Sequence, residues 1–382
     1  VSTAGDSLHQ VAIMWLIYEL TGSKTATGLI GMAQYLPAVV LGIFAGAVVD
    51  RWNRKLVMIV ADAARVVLVA MIPLLYLSGN MNGVILGVLA FSIAVFTTLF
   101  YPAREAVIPQ LVGPQDLTRA GSFLQGSYAF AYFVGPLLAA AILPWAKITG
   151  LFFGDAVTYA GSMILLFYLR PRPLPAKPQA PAPPLTLVRD GLQYAKSHGL
   201  IRGLLLLTAA DNLFIMGPAM VGTPLYIRLH LGLGAGAYAA AQGAFALGML
   251  TGSILVNRYA ARWPRGKVLL WAMLWDGISF APFMFTHTLT AALVVWFVHA
   301  IGVPFILVPR STLIQTEVPP DFQGRIFGLV NLTVVGLSAI SCSLTGLVTE
   351  IFPVNVLYAV IGVSAALVGA IGWLFPDLRR AR

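Results

Sequence analysis

Four aspartates stand inside long apolar runs of this sequence: Asp6, Asp155, Asp211 and Asp276. An aspartate at the centre of a membrane-spanning helix costs roughly 2.5–3.5 kcal/mol on insertion scales, so such residues face a cavity or a partner. Removal from water favours the neutral form of a carboxyl. A group so placed can take up and release a proton as its access to the two sides alternates. The competing role is structural, a hydrogen bond to a neighbouring helix. Asp6 and Asp211 are the leading candidates for proton coupling. Asp155 and Asp276 lie nearer the ends of their runs, where water could solvate them.

A second set is polar but uncharged: Gln34, Tyr35, Gln125, Tyr128, Tyr132, Asn212, Gln242 and Asn331. Gln125, Tyr128 and Tyr132 recur at helical spacing, so one face of their helix is polar and aromatic. Facing lipid, each amide would be unsatisfied. Two readings stand for every member: the lining of a central cavity, or a hydrogen bond between helices. The aromatic rings suit a bulky amphipathic ligand, since they offer area and a polar edge.

A third set is ionic. Asp50, Arg51, Arg54 and Lys55 crowd a tight turn between two apolar runs. Asp62 and Arg65 are three apart and share a helix face. Arg104 closes a later run. Other chemistry is not in view. The five histidines (His9, His198, His230, His287 and His299) are scattered and no His-Glu-x-x-His pattern occurs, so no metal site is expected. No Walker loop is present, and Gly232-Leu-Gly234-Ala-Gly236 follows no strand, so no phosphate cradle is expected. No nucleophile–base pair suggests an enzyme, and no cofactor is implied. The one cysteine, Cys342, excludes a disulfide framework.

The elements that carry these groups follow from composition. The 382 residues are 59% hydrophobic and 10% charged, against about 25% charged in a soluble domain. Mean hydropathy is +0.85. Apolar runs long enough to cross about 30 Å of hydrocarbon recur from end to end. Twelve spans are predicted, at about 1–20, 25–49, 56–78, 83–102, 119–143, 150–170, 200–227, 236–257, 267–286, 289–309, 324–350 and 354–375. Of the 24 Lys and Arg, all but Lys24, Lys147 and Arg228 fall on one side of this arrangement. The positive-inside rule makes that side cytoplasmic and sets both termini there. The net charge of +10 is read as this signature, not as a nucleic-acid surface.

Residues 171–184 hold seven prolines (Pro171, Pro173, Pro175, Pro178, Pro181, Pro183 and Pro184), the composition of a semi-rigid linker. In the stretch that follows, Leu185, Val188, Leu192 and Ala195 recur at helical spacing. An amphipathic helix lying on the cytoplasmic surface is predicted. The expected division is a six-helix bundle over 1–170, the linker and surface helix over 171–199, and a second six-helix bundle over 200–382. The halves repeat. At an offset of 206, Gly42, Gly46, Arg104, Pro114, Arg119 and Gln125 fall on Gly248, Gly252, Arg310, Pro320, Arg325 and Asn331. Asp6 falls on Asp211 at an offset of 205. Gly42/Gly46, Gly248/Gly252 and Gly83/Gly87 are read as close helix contacts. Span 7 has more residues before Asp211 than span 1 has before Asp6, so span 1 is expected to begin upstream of Val1.

Gly46-x-x-x-Asp50-Arg51-x-x-Arg54-Lys55 resembles the loop 2–3 signature of the major facilitator superfamily. Gly5-Asp6-Ser7, Asp62-Ala-Ala-Arg65, Tyr101-Pro102-Ala103-Arg104 and Gly135-Pro136 resemble its drug:proton antiporter group, which includes macrolide efflux pumps and enterobactin-type siderophore exporters. The resemblance implies an all-α membrane protein of 12 transmembrane helices in two six-helix bundles. It implies a monomeric, multi-pass inner-membrane transporter that exports amphipathic small molecules by alternating access, with protons as the coupling ion. It also implies that Asp50, Arg51, Arg54, Asp62, Arg65 and Arg104 form a conformational latch. The sequence departs from the antiporter pattern at Ala131, Ala139 and Ala140, where glycines are usual, and has Asn257 where the second-half loop would match Asp50. A lysophospholipid flippase of the same fold is the alternative, and a non-transporting membrane receptor is the remote one.

Overall fold

The structure, a computed structural model, describes residues 2–172, 183–259 and 262–381. Most of the proline-rich linker lies outside the described residues, as do the side chains of Asp50, Arg51, Gln125, Tyr128 and Tyr132. The chain is helical almost throughout. In order the helices are α1 (Ser2–Thr21), α2 (Lys24–Arg51), α3 (Arg54–Leu77), α4 (Gly83–Leu111), α5 (Leu117–Tyr168) and α6 (Pro184–Ser197). Then come α7 (Gly199–His230), α8 (Ala235–Tyr259), α9 (Arg265–Ile278), α10 (Leu289–Glu317), α11 (Pro320–Ile351), α12 (Val354–Gly372) and the short α13 (Pro376–Arg380).

Local sequence sets the ends of these helices. Asn53, Asn82 and Thr288 are N-caps; their side-chain oxygens accept from Leu56 N (3.2 Å), Ile85 N (2.9 Å) and Ala291 N (3.3 Å). Such caps satisfy amides that no helical carbonyl reaches. The turn after α3 closes through Gly79 at φ 74°, a conformation that costs glycine little. Within α7 the ladder widens to π-type turns at Pro218–Gly222 and Tyr226–His230. Pro224 has no N–H to offer Ala219 there. Thr223 Oγ1 supplies the bond instead, at 2.9 Å, and the Tyr358 hydroxyl donates to Pro218 O at 3.1 Å.

Ten helical stretches among the described residues are long and apolar enough to cross a membrane. The sequence reading of twelve differs at two places. The first is α1, whose Asp6, His9, Gln10 and Glu19 make it too polar to qualify by hydropathy. The second is α5, a single helical run broken at Lys147, where φ is 57° and ψ −176°. Outward-facing side chains elsewhere are apolar: Val84 (77% exposed), Val157 (70%) and Ile254 (61%) suit lipid.

Two compact units form. Unit 1 takes residues up to Gly22 and Ala33–Pro184; unit 2 takes Ser23–Met32 and everything from Leu185. In unit 1, α5 packs on α1 and α3, and α3 on α4. Val49, Val57, Met58, Ala61, Phe100, Ala103 and Val107 form one of its buried cores. In unit 2, α8 packs on α10, α9 on α10 and α12, and α7 on α11. Unit 2 includes the first turns of α2, where Gly28 and the Gly346 backbone are in contact. There Lys24 Nζ donates to Thr349 O at 2.6 Å, and Glu350 accepts from Thr25 N at 3.0 Å.

The small-residue pairs behave differently in the two halves. Gly248 and Gly252 press α8 onto the carbonyl oxygens of Phe297 and Ile301 on α10, with no room for a Cβ. Gly42, the repeat counterpart of Gly248, meets nothing within 4 Å among the described residues, and the surroundings of Gly46 lie outside them. The close contact read for Gly42 is therefore corrected: identical spacing gives contact only where a partner backbone comes near. Gly252→Val is predicted to push α8 from α10 and cost about 1–3 kcal/mol. Gly42→Ala is predicted to leave stability unchanged or slightly raised. Thermal unfolding of the two variants in detergent checks both, and equal losses would contradict the contact.

Candidate functional site

Unit 1 gathers its ionisable groups at one buried locus. Asp6 comes from α1, and α1 reaches α5 closely because two glycines permit it. A Cβ on Gly5 would collide with Thr158 and Asp155, and one on Gly135 with Ser7. Tyr159, on the second arm of α5, donates its hydroxyl to Asp6. The Tyr101 hydroxyl, from α4, lies 3.5 Å from the other carboxylate oxygen. Beneath them Arg65 of α3 is 1% exposed. Its guanidinium sits between the Phe100 and Tyr159 rings, 4.3 Å from each centroid, and is ion-paired to Asp62. Its Nε also donates to Ala61 O at 3.4 Å. Arg104, three residues beyond Tyr101, lies over that ring at 4.8 Å and bonds Glu105 at 2.9 Å. Asp6 acts electrostatically on both Arg65 and Arg104.

Unit 2 carries a simpler version. Asp211 on α7 is buried, and its electrostatic partner is Arg310 on α10. Asp211 in turn acts, as a like charge, on Asp276 of α9. Asp6 on α1 and Arg104 on α4 correspond in chain order to Asp211 on α7 and Arg310 on α10. These are the residues that the internal repeat superimposes.

The six ionic candidates divide. Asp62, Arg65 and Arg104 lie with Asp6. Arg54 instead donates to Ala106 O near the end of α4, at 2.9 Å. Its neighbour Lys55 donates to Phe167 O and Leu169 O at 2.8 Å each, where the carbonyls at the end of α5 lack helical partners. The side chains of Asp50 and Arg51 lie outside the described residues. Among the polar candidates, Asn212 donates to Thr208 O at 2.8 Å. Gln34, Tyr35 and Gln242 are half-buried and Asn331 is exposed. The side chains of Gln125, Tyr128 and Tyr132 lie outside the described residues.

Sequence reasoning passed over Tyr159, Phe100 and the two histidines of the interior, His9 and His299. Tyr159 follows Asp155 by four residues and His9 follows Asp6 by three, so helical spacing alone could have flagged both. Nothing local marks Phe100 or His299. The Asp62–Arg65 pair yields a direct expectation. Removing one partner of a buried pair strands the other, at roughly 3–5 kcal/mol. Asp62→Asn and Arg65→Gln are each predicted to lower the unfolding temperature, and the double variant to lower it by less than the sum. Additive losses in the thermodynamic cycle would show that the two do not act as a pair.

Comparison with known proteins agrees with this architecture. The sequence matches the Major Facilitator Superfamily over residues 1–242 and 205–382. It is 27% identical to the uncharacterized MFS-type transporter YfiS of Bacillus subtilis, over 100% of this chain and 92% of that one. It is 22% identical to macrolide efflux protein A of Streptococcus pyogenes, covering 100% and 94%. With the multidrug efflux pump Tap of Mycolicibacterium fortuitum it shares 24% identity, covering 98% and 93%. The fold is similar to that of the nucleoside transporter NupG, with a TM-score of 0.77, 12% identity and 98% of each chain covered. A bacterial homologue of the iron transporter ferroportin has a TM-score of 0.76 and 15% identity, with 98% and 95% covered. With membrane-length apolar helices, two helical units and a match along its whole length, the chain belongs to the Major Facilitator Superfamily and is a multi-pass membrane transporter.

Proposed function

We propose that this transporter exports amphipathic small molecules in exchange for protons. One observation carries the reading: the internal repeat superimposes Asp6 on Asp211 and Arg104 on Arg310, and Asp211 is buried with Oδ1 in no hydrogen bond among the described residues. An ionised aspartate attracts its arginine; a protonated one does not. Each proton therefore changes an interaction between two helices. A ligand shifts a conformational equilibrium only through such differential interactions. The macrolide and multidrug pumps among the relatives support an amphipathic cargo.

In this scheme the chain crosses the membrane twelve times, counting α1 and each arm of the α5 run, with both termini cytoplasmic. Two six-helix bundles rock about a midplane site. Asp211 and Asp6 exchange protons. Gln34, Tyr35, Gln125, Tyr128, Tyr132, Asn212, Gln242 and Asn331 are the candidates for contact with cargo. Asp50, Arg51 and Arg54 bias which side is open. Arg65 and Asp62 hold the Asp6 locus in shape.

The test is transport in proteoliposomes with an imposed pH gradient, using ethidium, erythromycin and a labelled lysophospholipid. Wild type is expected to move ethidium or erythromycin with the gradient. Asp211→Asn is expected to slow driven movement about 5–150-fold, the usual span of a coupling energy, while binding of the probe persists. Undiminished driven transport by Asp211→Asn would remove this aspartate from coupling. Flipping of the lysolipid alone, without a gradient, would replace the export reading with a lipid one.

A further inference from the structure

Two buried histidines take no part in the scheme above. His9 on α1 holds Nδ1 3.3 Å from Asp155 Oδ2 on α5. His299 on α10 holds Nδ1 3.7 Å from Asp276 Oδ1 on α9. Asp155 is 0% exposed, and Asp276 and His299 are 2% exposed each. In both cases a hydroxyl three residues on bonds back to the aspartate's own backbone carbonyl. Thr158 Oγ1 donates to Asp155 O at 2.8 Å, and Ser279 Oγ to Asp276 O at 3.0 Å. Neither pair maps onto the other at the repeat offset. An aspartate, a histidine from a second helix and a hydroxyl three residues after the aspartate thus occur together twice, on non-equivalent helices, the hydroxyl also reaching the histidine in unit 2 and the aspartate carboxylate in unit 1.

The protons can be placed in unit 2. Ser279 has one hydroxyl proton and gives it to the Asp276 carbonyl. Its Oγ, 2.8 Å from His299 Nδ1, must then accept, so Nδ1 carries a proton. Asp276 Oδ1, 3.7 Å from that nitrogen, has no hydrogen bond among the described residues. Asp155 Oδ2 and His9 Nδ1 are in the same condition in unit 1. The surroundings of His299 are aromatic, with Phe280 at 4.3 Å and Phe245 at 6.1 Å. The charged group facing Asp276 is Asp211, with Arg310 beyond it. Those facing Asp155 are Asp6 and Arg65, with the Tyr159 hydroxyl also in range.

We infer that His9–Asp155 and His299–Asp276 are a second class of proton-binding site in this transporter, one in each unit. The inference rests on the proton-exchange reading and deepens it. A proton entering from water adds to the pair and breaks no other bond. A carboxylate beside a neutral imidazole becomes a carboxyl beside a neutral imidazole, the proton going to the bare carboxylate oxygen, and the pair goes from one negative charge to none. In unit 2 this relieves the repulsion between Asp276 and Asp211, so loading the pair strengthens the hold of Asp211 on Arg310.

The test is a pH titration of the full chain in liposomes, followed by infrared difference spectroscopy of the protonated-carboxyl stretch. Wild type, Asp276→Asn and His299→Asn are compared. The asparagine at 299 can keep the bond to Ser279 but does not titrate. A carboxyl band absent from Asp276→Asn is expected to titrate between about pH 4 and 9, and its midpoint to move by about one unit or more in His299→Asn. A band that does not titrate, or does not move in His299→Asn, overturns the pair. His9→Asn and Asp155→Asn repeat the comparison should the unit 2 variants fail to fold. The transport assay separates the two readings. Driven export with an unmoved band sinks the pair alone. A moved band without driven export sinks the exchange reading and leaves the pair as a proton site.

Discussion

A charge buried in an apolar bundle must meet its counter-charge inside that bundle. Water is not there to solvate it, and the cost of leaving it bare is several kcal/mol. Arg65 shows how much structure this demand organises. The side chain is nearly inaccessible, so its guanidinium needs an anion, hydrogen-bond acceptors and polarisable surface. Asp62 supplies the first, the Ala61 carbonyl contributes to the second, and the Phe100 and Tyr159 rings the third. Each of those partners comes from α3, α4 or α5. One buried cation therefore fixes how three helices of unit 1 sit against each other.

Tyr159 extends the constraint to α1. Its ring faces Arg65 and its hydroxyl reaches Asp6, so aromatic stacking and hydrogen bonding join in one side chain. The approach of α1 is possible only because Gly5 and Gly135 present no side chain at the contact. Packing and electrostatics are thus one problem here. The glycines bring backbones together, and the short distances let buried polar groups find one another.

Unit 2 meets the same demand with fewer groups. Asp211 has Arg310 as its cation, and Asp276 has His299 within ion-pair range. The residues corresponding to Asp62 and Arg65 at the repeat offset are Val268 and Trp271, so the aromatic-clasped arginine has no counterpart. The two halves share the carboxylate–guanidinium pair and differ in what surrounds it.

From the sequence alone one could read a polytopic helical membrane protein, its repeat, its family resemblance and the four aspartates in apolar runs. These depend on composition, periodicity and charge distribution, which are properties of the chain taken in order. The correspondence of Asp6 and Arg104 with Asp211 and Arg310 was also legible, because the repeat aligned them. The tertiary structure decided the rest. It drew Asp62 and Arg65 away from Arg54 and into the Asp6 locus, since contact there depends on helix rotation and not on distance along the chain. It recruited Phe100, Tyr159, His9 and His299, residues whose importance lies in neighbours from other helices. It also gave the Gly248/Gly252 pair a partner backbone and left Gly42 facing open space. Spacing says which residues share a face, but only packing says what that face meets.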